Sequence, residues 1–215
     1  MLVDVRFIDL INNFSSIVHL LSLPACSEAK TDLVFILDAS TSVTEPNFNL
    51  MKDFVKDFLF EADIDGGNTR VGLVIYSTGV HIQFQMNTYT TKVDVYNAVD
   101  AIPYRYGSTN TADALETMRV EMFSQANGDR SDVENIAIIL TDGVSNINSR
   151  RTIPEAENAR SESITIYAIG IGLTDTTELD GIANKPLDDY RFAVQDFAEL
   201  DVLKHKVFAA FCGKC

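Results

Sequence analysis

Asp38, Ser40 and Ser42 stand at alternate positions directly after the apolar run Leu33-Val34-Phe35-Ile36-Leu37. An extended loop at that point turns three oxygen donors to one side and Ala39 and Thr41 to the other. Thr141-Asp142-Gly143 repeats the arrangement after a second apolar run, Ile136 to Leu140, and Ser108-Thr109-Asn110-Thr111 supplies hydroxyls from a third polar stretch. Thr109 or Thr111 can cap the helix that follows; one of them can instead reach a ligand. The set Asp38, Ser40, Ser42, Thr109 and Asp142 is hard-oxygen chemistry. It suits Mg²⁺, Mn²⁺ or Ca²⁺, and with no cysteine and histidine cluster in the chain it sets Zn²⁺ aside. Two carboxylates among neutral hydroxyls leave such an ion electrophilic, with room for water or for an acidic group from outside.

Donors from separate loops need a frame that brings the loops together. Continuous apolar runs suit parallel strands covered on both faces, and four occur, at residues 33–37, 70–76, 136–140 and 164–171. Val80 to Met86 alternates strictly, as a half-exposed edge strand does, and Ser77-Thr78-Gly79 reads as the hairpin turn that makes it antiparallel. A last short strand is expected over 190–194. Amphipathic spacing predicts helices over 46–61, 92–102, 112–123, 154–163, 179–183 and 197–211, with Arg150-Arg151 in a solvated loop before Pro154. Strands alternating with helices imply an α/β fold with a doubly wound, mostly parallel central sheet, one antiparallel edge strand, and helices on both faces. In such a sheet ligands gather at the carboxyl ends of strands where strand order reverses, which is the address of Asp38.

Other chemistries find little support. A phosphoryl-transfer site built on Asp38 would want a second aspartate two residues on, where Ser40 stands. No GxSxG, P-loop lysine or HExxH pattern occurs. His19, His81 and His205 fall on a terminal segment, an edge strand and a closing helix, so no shared base emerges. The expectation is a binding protein, not an enzyme.

The 31 acidic and 17 basic residues leave a net charge of −14, which disfavours nucleic acid and anionic membranes and favours cations or basic partners. Length and the absence of a long linker imply a single domain over 30–212, with an N-terminal segment, 1–29, and a short tail, 213–215. The first segment is too short and too broken by charge for a membrane span. It reads either as a divergent signal or pre-segment or as a helix packed on the domain. Cys26 precedes the first core strand and Cys212 ends the last helix, so a Cys26–Cys212 disulfide would staple the termini and implies an oxidising compartment; Cys215 is then left for a partner chain or for a longer protein. The contrary case is three reduced thiols. Asn13-Phe14-Ser15 is a glycosylation sequon.

Asp38-Ala39-Ser40-Thr41-Ser42, Thr109 and Thr141-Asp142-Gly143 resemble the three motifs of the von Willebrand factor A domain, DxSxS, a threonine and a later aspartate, in the same order and at strand ends. The resemblance covers about residues 30 to 212. It implies a Rossmann-like fold carrying a metal-ion-dependent adhesion site (MIDAS), which holds Mg²⁺, or Mn²⁺ or Ca²⁺, and accepts a partner's Asp or Glu. The chain looks most like the A domains of matrilins and type VI collagen, and it is similar to integrin I domains. The 142–164 stretch has room for one short helix only, so the additional helix of collagen-binding integrin domains is not expected. The function implied is an extracellular, secreted adhesion or matrix-assembly module whose partner is a protein with an acidic side chain. The rival is an intracellular or bacterial scaffold for a multiprotein complex. Tyr104, Arg105 and Tyr106, just before Thr109, are expected to rim the metal face.

Overall fold

A computed structural model of the chain describes residues 30–212. The expectations for residues 1–29, for the side chains of Cys26 and Cys212, and for Cys215 lie outside what it describes. Six strands form one sheet in the order β3-β2-β1-β4-β5-β6. They are β1 (Thr31–Asp38), β2 (Thr69–Tyr76), β3 (Val80–Phe84), β4 (Glu134–Thr141), β5 (Ile164–Ile171) and β6 (Arg191–Val194). All neighbouring pairs are parallel except β2 with β3, the antiparallel edge that the alternating pattern predicts.

The helices are α1 (Glu45–Phe58), α2 (Lys92–Asp100), α3 (Thr111–Thr117), α4 (Ser149–Ser161), α5 (Thr177–Ile182), α6 (Leu187–Tyr190) and α7 (Leu200–Cys212). Successive residues of β1 face opposite ways and enter two separate cores. Leu33, Phe35 and Leu37 pack with side chains of α1, α2 and α7, among them Phe48, Phe58, Val95 and Phe211. Val34 and Ile36 pack on the other face with Leu115, Ala156 and Leu179 from α3, α4 and α5, and with Met118 just after α3. Every residue of β1 is buried, because β1 has a strand on each side and a helical layer on each face.

Three expectations need correction. The helix expected from 154 begins at Ser149, and Pro154 lies within it. Its missing N–H falls opposite the Arg150 carbonyl in the first turn, so the helix loses only one early bond. Arg150 and Arg151 are therefore helical, not part of a loop. Arg151 is held by Asp113 at 3.0 Å, Glu116 at 2.6 Å and Glu155 at 3.2 Å. The helix expected over 112–123 changes at Met118 into a π-helical turn, Met118–Met122, where Phe123 N–H donates to the Met118 carbonyl at 3.1 Å. A short helix, α6, also precedes β6.

At the amino end of β1, Asp32 is fully buried and takes Arg130 Nε at 2.8 Å and the Arg130 backbone N–H at 2.7 Å. The same guanidinium donates to the carbonyls of Thr31, Gly67 and Asn68, which ties β1, the loop before β2 and the loop before β4 into one corner. Burial pushes the Asp32 carboxyl up, and its bonds to Arg130 oppose that shift. Arg130→Met leaves a buried carboxylate unpaired and should cost about 3–5 kcal/mol in urea denaturation, whereas Asp32→Leu combined with Arg130→Met should recover most of the loss.

Candidate metal centre

The strand order reverses at β1: the chain passes from β1 to β2 on one side, and β4 enters on the other. Leu37 is in register with both Ile75 and Leu140, so the next residues, Asp38 and Thr141, meet side by side where the two strands end. Thr141 Oγ1 donates to Asp38 Oδ2 at 2.8 Å and accepts from Gly143 N–H at 3.2 Å. Ser40 N–H donates to Asp38 Oδ1 at 2.8 Å. Asp38 has no solvent exposure, and its donors are all neutral. Burial, opposed by the bonds to Ser40 and Thr141 and reinforced by the charge of Asp142, pushes its carboxyl up to about 6.

Four of the five expected ligands are linked directly. Ser42 Oγ donates to Asp142 Oδ1 at 2.9 Å, and the Ser40 and Ser42 hydroxyls lie 3.1 Å apart. Ser42 commits its one proton to Asp142, so Ser40 is the donor between the serines. Asp142 is half-buried, and burial raises its carboxyl despite the bond from Ser42. Thr109 is buried but is held only through its backbone. Its N–H donates to Asn146 Oδ1 at 2.9 Å, and its carbonyl accepts from Asn146 N–H at 3.0 Å and Ile147 N–H at 3.1 Å. Thr111, the alternative, is buried in α3. Asn110, not either threonine, caps α3 by accepting from Asp113 N–H at 3.4 Å.

The loops are tied to one another by Thr41 and Gly107, and by Tyr104, one of the expected rim residues. Thr41, turned away from the donors, gives its N–H to the Gly107 carbonyl at 3.0 Å and accepts from Gly107 N–H at 2.9 Å. Gly107 has φ +127°, and a Cβ there would collide with Thr78 Oγ1. Tyr104 donates its hydroxyl to the Ser40 carbonyl at 2.7 Å. Tyr106, 70% exposed, packs edge-on against the Tyr104 ring with centroids 4.8 Å apart. Further along the Asp142 loop, Ser145 N–H donates to Glu178 Oε1 at 2.7 Å, and burial raises the Glu178 carboxyl. Thr141 is the supporting residue that the sequence could have disclosed, because it immediately precedes Asp142. Asn146 and Glu178 have no such signal.

Among the described residues no group of three or more His, Cys, Asp or Glu converges as a cation cage. The candidate set has a different composition, two carboxylates with hydroxyls. The von Willebrand factor type A domain model matches residues 32–206, and the chain belongs to that family. Chicken (Gallus gallus) matrilin-1 is 33% identical over 195 residues, 87% of this chain and 38% of that protein. The mouse (Mus musculus) collagen alpha-4(VI) chain is 32% identical over 193 residues, 88% of this chain and 8% of that one. Proximal thread matrix protein 1 from the mussel byssus superposes with a TM-score of 0.80 at 31% identity, covering 86% of this chain and 49% of that one, in a structure with a zinc-occupied MIDAS motif. The chain thus spans less than half the length of each of these relatives. The zinc in that relative's motif supports a divalent metal in general and does not single out Mg²⁺.

Asp38→Asn should raise the stability of chelator-treated protein near neutral pH by about 3 kcal/mol, since it removes a buried charge whose acid form the fold prefers. The folded-state value lies above the ordinary 3.8, so the gain should be full above about 6 and vanish as pH falls toward 4. Thermal melts of the two proteins across that range check it. Gly107→Ala should cost about 1–3 kcal/mol through left-handed strain and the Thr78 collision, read from the same melts.

Proposed function

We propose that the chain is an extracellular adhesion or matrix-assembly module that holds one divalent cation on Asp38, Ser40, Ser42, Thr109 and Asp142 and binds an acidic side chain of a protein partner through it. One observation carries the reading: a fully buried carboxylate with no cationic neighbour, beside a chain of hydroxyls that ends on a second carboxylate. Burying a lone charge is costly unless something compensates it. Asp32, at the other end of the same strand, is compensated by Arg130.

The residues present fit a cation. Each Asp38 oxygen has one donor, which leaves lone pairs free. The Ser40, Ser42 and Asp142 oxygens are bonded mainly to one another, and a metal can replace those bonds with ligation. A bound divalent ion supplies positive charge and a coordination position for an outside carboxylate. The chain's own residues do the rest: Asp38 and Asp142 contribute charge, Thr141 orients Asp38, Tyr104 and Thr41 hold the serine loop, and Asn146 holds Thr109. Tyr104, Arg105 and Tyr106 rim this face, with Tyr106 the most open to a partner. Mg²⁺ is the hard-ligand choice among Mg²⁺, Mn²⁺, Ca²⁺ and Zn²⁺.

The matrilin, collagen and thread-matrix relatives support a secreted, matrix setting. Among the described residues no helix is long and apolar enough to cross a membrane. Calorimetric titration of Mg²⁺ and Mn²⁺ into chelator-stripped protein should show saturable binding at one site, weakened at least about tenfold by Asp142→Ala with the fold retained. Equal binding by both proteins, or none by either, would overturn the metal reading.

A further inference from the structure

The described arginines are almost all committed. Arg119, Arg130, Arg151 and Arg191 are in ion pairs, and Arg70 and Arg160 donate to backbone carbonyls. Arg105 and Arg150 alone among them make no hydrogen bond or ion pair, and both are exposed. Arg105 lies in the stretch between α2 and α3 that bonds to the serine loop, and Arg150 opens α4, which follows the loop carrying Asp142. Arg105 lies between Tyr104, bonded to the Ser40 carbonyl, and Gly107, bonded to Thr41 on both its N–H and carbonyl. Arg150 lies in the first turn of α4, at the end of the loop that carries Asp142 and crosses Thr109 through Asn146 and Ile147.

A chain with a net charge of −14 repels acidic partners over most of its surface. Arginines without an intramolecular carboxylate, on the segments joined to the loops of a site for carboxylates, offer bidentate donors to further acids. We propose that the metal face recognises an acidic peptide segment rather than an isolated acid: one carboxylate goes to the metal, and neighbouring carboxylates go to Arg105 and Arg150. The proposal rests on the metal reading above and adds the charge multiplicity of the partner.

Two peptides of equal length serve as probes, hexaglutamate and a peptide with one glutamate among five glutamines. Each is titrated into ¹⁵N-labelled protein saturated with Mg²⁺, with amide shifts followed by NMR, which registers weak binding. Hexaglutamate should bind roughly 3- to 10-fold more tightly, the gain expected of two exposed charge contacts, and the gain should shrink as ionic strength rises. Arg105→Gln with Arg150→Gln should shrink that difference while Mg²⁺ still binds. Equal binding of the two peptides by wild type, or an undiminished preference in the double variant, overturns the proposal. So does the absence of peptide shifts when calorimetry shows Mg²⁺ bound. Absence of Mg²⁺ binding itself would instead bring down the metal reading beneath it.

Discussion

A carboxylate buried at the carboxyl end of the central strand sets the terms for the surrounding structure. Asp38 is where it is because β1 lies between β2 and β4 in matched parallel register, and its neighbours in the sheet leave it no solvent. Buried charge in a low-dielectric setting must be neutralised by proton, by ion pair or by metal. The fold supplies only neutral donors there, Thr141 Oγ1 and Ser40 N–H, and no cationic side chain.

β1 contains its own control. Asp32 and Asp38 are both wholly buried, one at each end of the same eight-residue strand. Asp32 receives a guanidinium that also gathers three backbone carbonyls, which makes it a structural corner. Asp38 faces a cluster of hydroxyls and a second acid. The same side chain, on the same strand with similar burial, is structural at one end and a candidate ligand at the other because of which loops converge on it. Parallel strands put all their carboxyl ends on one side, so the loops carrying Asp38, Asp142 and, after β3 and α2, Thr109 are brought to one face. The Thr41–Gly107 pair and the Tyr104 hydroxyl then hold the first and third of these together.

Much of this was legible in the residues. Apolar runs at 33–37, 70–76, 136–140 and 164–171 announce buried parallel strands because both faces of such strands need apolar cover. Alternation from Val80 marks the edge strand for the converse reason. The start of α4 was hidden because its first turn, Ser149-Arg150-Arg151, is polar and Pro154 looks like an N-terminal signal; its arginine pairs with acids on α3, a contact without any local trace. The π-helical turn at Met118–Met122 was hidden as well, since a five-residue bond spacing leaves the apolar residues on nearly the same face as an α-helix does.

The amino-acid sequence by itself determined the type of fold, the order of its elements, and the donor chemistry, because hydrophobic period and the alternation of Asp38, Ser40 and Ser42 are local properties of the chain. Tertiary structure alone decided which acid is compensated and which is not, that Thr141 orients Asp38, that Asn146 and Gly107 position the threonine loop, and that Arg105 and Arg150 stay free while Arg151 does not. Each of these depends on register between strands or on contact between residues far apart in the chain, and neither spacing nor composition records who meets whom across a sheet.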